Sequence, residues 1–244
     1  MAFAHMELFS LELMMNTCVN VVLPDIGNLR EARVVTLLHG LSDNASGWCR
    51  YTACERYAKE KNLVLIMPEV QRSFYMDCAR GLPYYTYISQ ELPRNMERIF
   101  SLSSRREDHY IMGLSMGGFG ALKCALNHPE TYAGAAAFSA VTDLRDFFSS
   151  YPQVLFPGEI QSILGESLQI PENSDLVRLL KKNQPLPPIY LSCGEQDLLY
   201  GSVCRFEKAL TAAGVSHRFD HRPGDHTWDF WDQSLRDALQ WFLK

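Results

Sequence analysis

Long apolar runs are absent from this 244-residue sequence, in which no stretch of roughly 18 residues is apolar enough to span a bilayer. The N-terminal segment carries Glu7 and Glu12, where a signal peptide needs an uninterrupted apolar region. The net charge of −5 comes without a long run of either sign, which argues against nucleic-acid binding. We therefore expect a cytoplasmic protein that binds neither membranes nor nucleic acids.

The sequence also lacks the motifs of several enzyme classes. Its seven cysteines are odd in number and form no CxxC pair, so we expect reduced thiols and no zinc site. No GxxxxGK[ST], GxGxxG or HExxH pattern occurs, and these patterns mark phosphate loops, dinucleotide-binding folds and zinc proteases. The sequence therefore indicates neither a metal nor a cofactor.

Short apolar runs alternate with helical patterns from residue 33 to the C-terminus, which predicts a mostly parallel central sheet with helices on both faces. Two antiparallel strands are predicted ahead of this region. The length fits a single domain, 1–244, and the stretch at about 142–188, which breaks the alternation, is interpreted as a small cap insertion. Helices are predicted over 51–61, 85–100, 116–127, 202–213 and 228–242.

The most informative local pattern is GLSMG, which follows an apolar run and precedes a helical pattern. A sharp strand-to-helix turn exposes a serine hydroxyl, and the flanking glycines remove side chains that would collide there. The helix that begins at Met116 also points its positive end at the charge that develops on a substrate oxygen. The pattern therefore predicts that Ser115 is a nucleophile.

A nucleophilic serine needs a histidine base and an acid that orients it, and after this motif both follow the serine along the chain. Asp197 comes directly after an apolar strand, which predicts its carboxylate at the carboxyl edge of the sheet, with Glu195 as the alternative. His226 lies in a loop before the last helix and is the predicted base. Three other downstream histidines fit a helix end or a strand better: His128, His217 and His221.

Two backbone amides are expected to form an oxyanion hole for the substrate carbonyl. Met116 supplies the first of them. The second is expected from the loop after an earlier strand, where Leu41 is the prediction and Gly40 the alternative. His39 adjoins this loop but precedes the serine, so we expect it to form structural hydrogen bonds.

Two tryptophans lie beside the predicted catalytic loops. Trp48 follows the loop of the oxyanion hole, and Trp228 comes two residues after the predicted base. Both are candidate substrate contacts, with packing in the core as the alternative.

The chain resembles the esterase D family, and most closely its small bacterial branch of tributyrin esterases, in segments that follow one another from about residue 33 onward. These are HGLSDNASGW, YYTYISQELP, IMGLSMGGFGALK, CGEQDLLY and GDHTWDFW. The resemblance implies an α/β-hydrolase fold and hydrolysis of short-chain acyl esters through an acyl-enzyme intermediate, without a cofactor. Position by position it implies the triad Ser115, Asp197 and His226, in agreement with the assignment from the residues.

Other substrates and other classes of protein are alternatives. A related branch hydrolyses the thioester S-formylglutathione and usually reads SGLTC where this chain has HGLSD, which weakens the thioesterase interpretation. Feruloyl and acetylxylan esterases share the family's features, so a deacylase of carbohydrate or feruloyl esters is a further alternative. An acyltransferase and a non-catalytic binding protein represent other classes. The predicted partner is a small-molecule ester, and the sequence leaves homo-oligomerisation open.

Overall fold

The computed structural model describes residues 1–25, 27–181 and 184–243. In this part of the chain the strands are β1 Ala2–Ser10, β2 Met15–Leu23, β3 Arg33–Leu38, β4 Leu63–Pro68, β5 His109–Leu114, β6 Gly134–Phe138, β7 Ile189–Gly194 and β8 His217–Arg222. They form one sheet in the order β1-β2-β4-β3-β5-β6-β7-β8.

Strand directions confirm the predicted mostly parallel sheet. β1 and β2 form an antiparallel hairpin, and β2 pairs antiparallel with β4. All the other neighbouring strands that the structure describes run parallel. The apolar run LFSLELM at 8–14 predicts a strand there. The structure instead places β1 at Ala2–Ser10, and residues 11–14 form the hairpin turn, in which Met14 takes a positive φ of 52°. β2 is also covered by β4, so only β1 of the hairpin lies at the sheet edge.

Helices connect the strands. They are α1 Gly47–Tyr51, α2 Cys54–Lys61, α3 Tyr84–Thr86, α4 Leu92–Phe100, α5 Met116–Asn127, α6 Leu144–Ser150, α7 Glu159–Leu164, α8 Leu176–Leu179, α9 Tyr200–Ala212 and α10 Trp228–Phe242. The predicted helices at 116–127 and 228–242 agree with α5 and α10. The predicted helix at 85–100 is interrupted by a π-helical turn at Tyr87–Glu91, and the one at 51–61 is divided between α1 and α2.

The core lies on both faces of the sheet, because successive residues of a strand point to opposite sides. Val34 of β3 belongs to the face that packs against α4, α5 and α9, and Val35 belongs to the face that packs against α1, α2 and α10. Ile111 and Met112 of β5 divide in the same way. Every residue of β4, β6 and β7 is buried, as expected for strands covered on both faces.

The segment predicted as a cap leaves the sheet after β6 and returns at β7. Its described residues include the short α-helices α6, α7 and α8, and several large apolar side chains are exposed there. Residues 182 and 183 of this segment lie outside the described residues. Among the helices that the structure describes, none is both long and apolar enough to cross a membrane.

Candidate active site

Ser115 occupies the turn between β5 and α5 with φ 52° and ψ −115°, a strained conformation for a residue with a side chain. The two flanking glycines are required by space. A Cβ at Gly113 would lie 2.3 Å from the carbonyl oxygen of Gly117, and a Cβ at Gly117 would lie 2.3 Å from that of Leu38. The Ser115 N–H donates to the Phe138 carbonyl at 2.8 Å, so a neighbouring strand holds the turn in place.

Asp197 and His226 are brought together from two loops at the carboxyl edge of the sheet. His226 Nδ1 lies 2.9 Å from Asp197 Oδ2, and the Leu199 N–H donates to Asp197 Oδ1 at 2.8 Å. The Asp197 side chain is fully buried, whereas 24% of the His226 side chain is exposed. Donation from Nδ1 to the carboxylate leaves Nε2 of His226 as the nitrogen that can accept a proton.

Asp197 stays ionised in spite of its burial. Burial alone raises the pKa of a carboxyl, but hydrogen bonds from His226, Ser139 and the Leu199 N–H, with the charge of His226, hold the pKa of Asp197 below its usual range. Ser139 is itself fully buried, has a positive φ of 45°, and accepts a 3.0 Å hydrogen bond from Trp231 Nε1. Trp231 therefore holds the serine whose hydroxyl helps to lower the pKa of Asp197.

His39 determines the orientation of the peptide between Gly40 and Leu41. Its Nε2 accepts a 3.2 Å hydrogen bond from the Val70 N–H, so its proton is on Nδ1, which donates to the Gly40 carbonyl at 2.8 Å. Burial lowers the pKa of His39, which favours this neutral form. The C=O and N–H of a trans peptide point in opposite directions, so fixing the Gly40 carbonyl also fixes the direction of the Leu41 N–H.

Neighbouring carbonyls of the same loop are held by buried side chains. Trp48 Nε1 donates to the Leu38 carbonyl at 3.1 Å, and the Tyr75 hydroxyl donates to the His39 carbonyl at 2.9 Å. The N–H groups of Leu41 and Met116 have no hydrogen-bond partner in residues 1–25, 27–181 and 184–243. Two amides are therefore available to a substrate oxygen at this edge of the sheet.

A cavity of about 560 Å³ joins these groups. Ser115 and His226 both line it, with Leu41 beside them. Much of the remaining lining is apolar and comes from the cap segment and from the loops at the sheet edge: Phe147, Tyr151, Val154, Leu198, Trp228 and Trp231. The arrangement suits a small substrate with an apolar part next to the serine hydroxyl.

The two tryptophans singled out in the sequence lie at different depths. Trp228 is partly buried and lines the cavity. Trp48 has no exposed surface, lies outside the cavity lining and packs edge-on against Trp228 with the ring centroids 5.4 Å apart. Trp48 therefore supports Trp228 and the Leu38 carbonyl from behind the cavity, and its role is packing in the core.

The alternative acid and bases lie away from the cavity. Glu195 pairs with His221 at 3.1 Å on the protein surface. The two remaining downstream histidines also lie beside carboxylates of their own, His217 beside Glu207 and His128 beside Glu130. Of the four downstream histidines, only His226 lines the cavity that Ser115 lines.

Ser139 and Arg72 also belong to the site and were not singled out in the sequence. Ser139 follows β6 directly, so its place at the carboxyl edge of a predicted strand could have identified it. Arg72 lines the cavity from the loop after β4, and no motif marks it.

Comparison with known proteins places the chain among esterases. A family described as putative esterase matches residues 10–242. An acetyl esterase of Caldicellulosiruptor saccharolyticus is 26% identical over 269 residues, an alignment that covers 100% of this chain and 99% of that protein.

Two solved structures from Staphylococcus aureus are similar along the whole chain. Fluorophosphonate-binding serine hydrolase F, in a substrate-bound form, is 32% identical with a TM-score of 0.92, covering 100% of this chain and 98% of that one. An S-formylglutathione hydrolase is 32% identical with a TM-score of 0.90, covering 100% and 99%. These similarities, together with the sheet, confirm the predicted α/β-hydrolase fold.

Proposed function

The chain belongs to the putative esterase family and is a serine esterase, and within this class we propose that it hydrolyses short-chain acyl esters by means of Ser115, His226 and Asp197. One observation carries the assignment of residues. Among the described residues that follow Ser115, His226 is the only histidine that lines the cavity with it. Its Nδ1 lies 2.9 Å from the buried carboxylate of Asp197.

In the first half of the proposed reaction, Ser115 Oγ attacks the ester carbonyl while His226 Nε2 takes the hydroxyl proton. Asp197 keeps the imidazole in the required tautomer and stabilises the imidazolium that forms. The Leu41 and Met116 amides donate to the oxyanion of the tetrahedral intermediate. Breakdown of this intermediate expels the alcohol, which receives its proton from His226, and leaves an acyl-enzyme.

In the second half, His226 removes a proton from a water molecule that attacks the acyl carbon. The same two amides stabilise the second oxyanion, and Ser115 leaves with the proton that His226 returns. His226 therefore acts as the base for the serine hydroxyl in the first half and for water in the second.

The cavity and the cap segment support a short acyl group. The cavity of about 560 Å³ has to hold both the acyl and the alcohol parts, and side chains of α6 and the segment after it line one side of it. We interpret 142–188 as a cap within a single domain that limits chain length. The finer assignment to the tributyrin esterase branch of the esterase D family, made from the sequence, is part of this proposal.

S-formylglutathione is the second candidate substrate, because one similar structure is a hydrolase of this thioester. Glutathione carries two carboxylates, so a site that binds it would need cationic side chains that are not already paired with carboxylates of the protein. The arginine of the lining, Arg72, already pairs with Glu159, and Asp43 adds a partly buried carboxyl, so the lining that the structure describes favours a neutral ester.

A substrate panel tests the proposal. Purified protein should hydrolyse p-nitrophenyl acetate and p-nitrophenyl butyrate with a higher kcat/KM than p-nitrophenyl octanoate. The kcat/KM for the acetate and butyrate esters should also exceed that for S-formylglutathione. A higher kcat/KM for the thioester would replace the first candidate with the second. Transfer of the acyl group to an added alcohol in preference to water would instead identify an acyltransferase.

A further inference from the structure

One side of the cavity is formed by a short, sparsely packed stretch of the cap, residues 152–159, which we term the cap wall. Gln153 and Val154 of this stretch line the cavity. None of Pro152–Val154 is buried, and Phe156 is 65% exposed. Leu155 is only partly buried where it packs against the core. Apolar burial therefore does little to fix the position of the cap wall.

Arg72 connects the cap wall to the body of the protein. Its Nε and Nη2 donate to the two carboxylate oxygens of Glu159 at 2.6 and 2.9 Å, and Nη2 also donates to the Val154 carbonyl at 2.8 Å. The guanidinium lies over the Phe156 ring, 4.5 Å from its centroid. In the described residues, every hydrogen bond from the cap wall to the body of the protein involves Arg72.

This ion pair is shielded from water. The Glu159 side chain is 10% exposed and that of Arg72 is 27% exposed. Bidentate arginine–carboxylate pairs with little exposure fix geometry better than surface pairs, because both planar groups must align. Glu159 also accepts from the Phe156 N–H at 2.9 Å, so its carboxylate is bound from within the cap wall as well.

Arg72 is anchored to the loop of the oxyanion hole. Its neighbour Gln71 donates its N–H to Glu69 Oε1 at 2.7 Å, and Glu69 Oε2 accepts the Ala45 N–H at 3.0 Å. Arg72 Nη1 also lies 3.5 Å from the Leu41 carbonyl oxygen. Through Arg72, the position of the cap wall therefore depends on the same loop that provides the Leu41 amide.

We propose that Arg72 and Glu159, the Arg72–Glu159 clasp, are specificity-determining residues that hold the cap wall at a fixed distance from Ser115 and thereby limit the length of the acyl chain. The inference rests on the proposed function. His226 must protonate the leaving alcohol, so the alcohol lies towards His226 and Trp228. The acyl chain is then expected on the other side of the ester carbonyl, where Gln153 and Val154 line the cavity and Arg72 binds the Val154 carbonyl.

Releasing the clasp should widen the cavity on the acyl side. The quantity to measure is the ratio of kcat/KM for p-nitrophenyl octanoate to that for p-nitrophenyl acetate. Arg72→Met keeps the aliphatic stem and removes the guanidinium, and Glu159→Gln keeps the shape and removes the charge. Each should raise the ratio about tenfold, the low end of what one methylene contributes to discrimination in an apolar pocket.

A second ion pair provides a matched control. Arg80 and Glu166 also join the loop after β4 to the cap, at 2.6 Å, but both side chains are more than half exposed and neither lines the cavity. Arg80→Met and Glu166→Gln should leave the octanoate-to-acetate ratio at the wild-type value. The double variant of the clasp should raise the ratio no further than the larger single variant does, because both changes remove the same interaction.

Three outcomes separate the interpretations. If wild type hydrolyses acetate and butyrate esters but neither clasp variant changes the ratio, the clasp proposal is overturned and the proposed function stands. If wild type hydrolyses none of these esters, both fail. A purely structural role would lower Tm and activity on all esters alike without moving the ratio. Arg72→Lys keeps the charge but not the bidentate geometry, so it should give a ratio between those of wild type and Arg72→Met. If Arg72→Met does not fold, Arg72→Lys tests the proposal in its place.

Discussion

The loop that carries Leu41 and the cap wall face each other across one cavity, yet they are held in different ways. Three successive carbonyls, that of Leu38 at the end of β3 and those of His39 and Gly40 in the loop, each accept a hydrogen bond from a buried side chain. The cap wall is largely exposed, and its hydrogen bonds to the body of the protein, within the residues described, all come from Arg72.

This difference separates chemistry from selectivity. Stabilising an oxyanion requires donors that are aligned before the charge develops, so a loop with many constraints suits it. Limiting substrate length requires only that a wall stay at a given distance, and one clasp can provide that. Changes in the loop and its surroundings should therefore reduce turnover of every ester alike, whereas changes in the cap wall should alter the order of preference among esters.

The largest effect is expected at Ser115, on the chemical side of the comparison. Ser115→Ala should reduce kcat on the order of 10⁴ to 10⁶-fold, because the acyl-enzyme can no longer form. The reduction should be the same for p-nitrophenyl acetate, butyrate and octanoate. Circular dichroism and Tm of the variant should match the wild type, and an unchanged rate in a folded variant would remove Ser115 from the mechanism.

A smaller but still uniform loss is expected when His39 is replaced. His39→Ala frees the Gly40 carbonyl and with it the Leu41 amide, so kcat should fall on the order of 10²-fold, the low end for loss of one oxyanion donor. KM should change little, because the amide acts mainly in the transition state. The measurement is kcat and KM on all three esters.

His39→Gln and His128→Ala provide the controls for this loss. The glutamine amide can still donate to the Gly40 carbonyl and should restore part of the activity, which a purely structural role would not explain. His128 lies outside the cavity and its replacement should leave kcat unchanged. A loss for His39→Ala that grows or shrinks with acyl length would contradict the separation of chemistry from selectivity.

Sequence patterns offer candidates for the catalytic residues but none for the cap wall. Ser115, Asp197 and His226 each follow or border a strand that the pattern of apolar runs also predicts, and parallel strands bring their carboxyl ends to one edge. The candidate residues could therefore be named from these local patterns together with their order along the chain.

The cap wall could not be predicted, because Arg72 and Glu159 are 87 residues apart and neither belongs to a motif. Their pairing depends on how the cap folds back over the sheet edge. The tautomer of His39 depends likewise on the Val70 N–H, 31 residues away. Contacts of this kind come from tertiary packing, which local sequence patterns do not contain.

Lys123 of α5 is fully buried behind the loop that carries Leu41. It binds the backbone of Tyr75, the residue whose hydroxyl donates to the His39 carbonyl of that loop. Its ammonium donates to the Tyr75 carbonyl at 2.9 Å, and burial lowers its pKa to about 7. The unfolded chain would keep a lysine protonated up to a pKa of about 10.4. Between these values the folded state binds fewer protons than the unfolded state, so this group makes stability rise with pH from about 7 upward.

Replacing Lys123 by methionine should remove this dependence. From pH 7 to 9 the free energy of unfolding of wild type should gain on the order of 2 kcal/mol relative to Lys123→Met. Urea unfolding at both pH values measures it, and taking the difference between the proteins cancels the titration of other groups. The exposed Lys208 offers a control, because Lys208→Met should keep the wild-type pH dependence. Equal slopes for wild type and Lys123→Met would show that the buried amine stays charged.

The smallest effect is expected at Trp231, which lies behind Asp197, the proposed acid of the triad. Trp231→Phe keeps most of the ring but removes the Nε1 donor to Ser139, and one neutral hydrogen bond contributes about 1 kcal/mol, so kcat should fall several-fold on every ester. Adding Ser139→Ala should cost less in this variant than in wild type, since Trp231 acts through its hydrogen bond to Ser139. Trp241→Phe, at the far end of α10, should have no effect on kcat. If Trp231→Phe changed the octanoate-to-acetate ratio instead, Trp231 would belong with the cap wall among the groups that select the substrate.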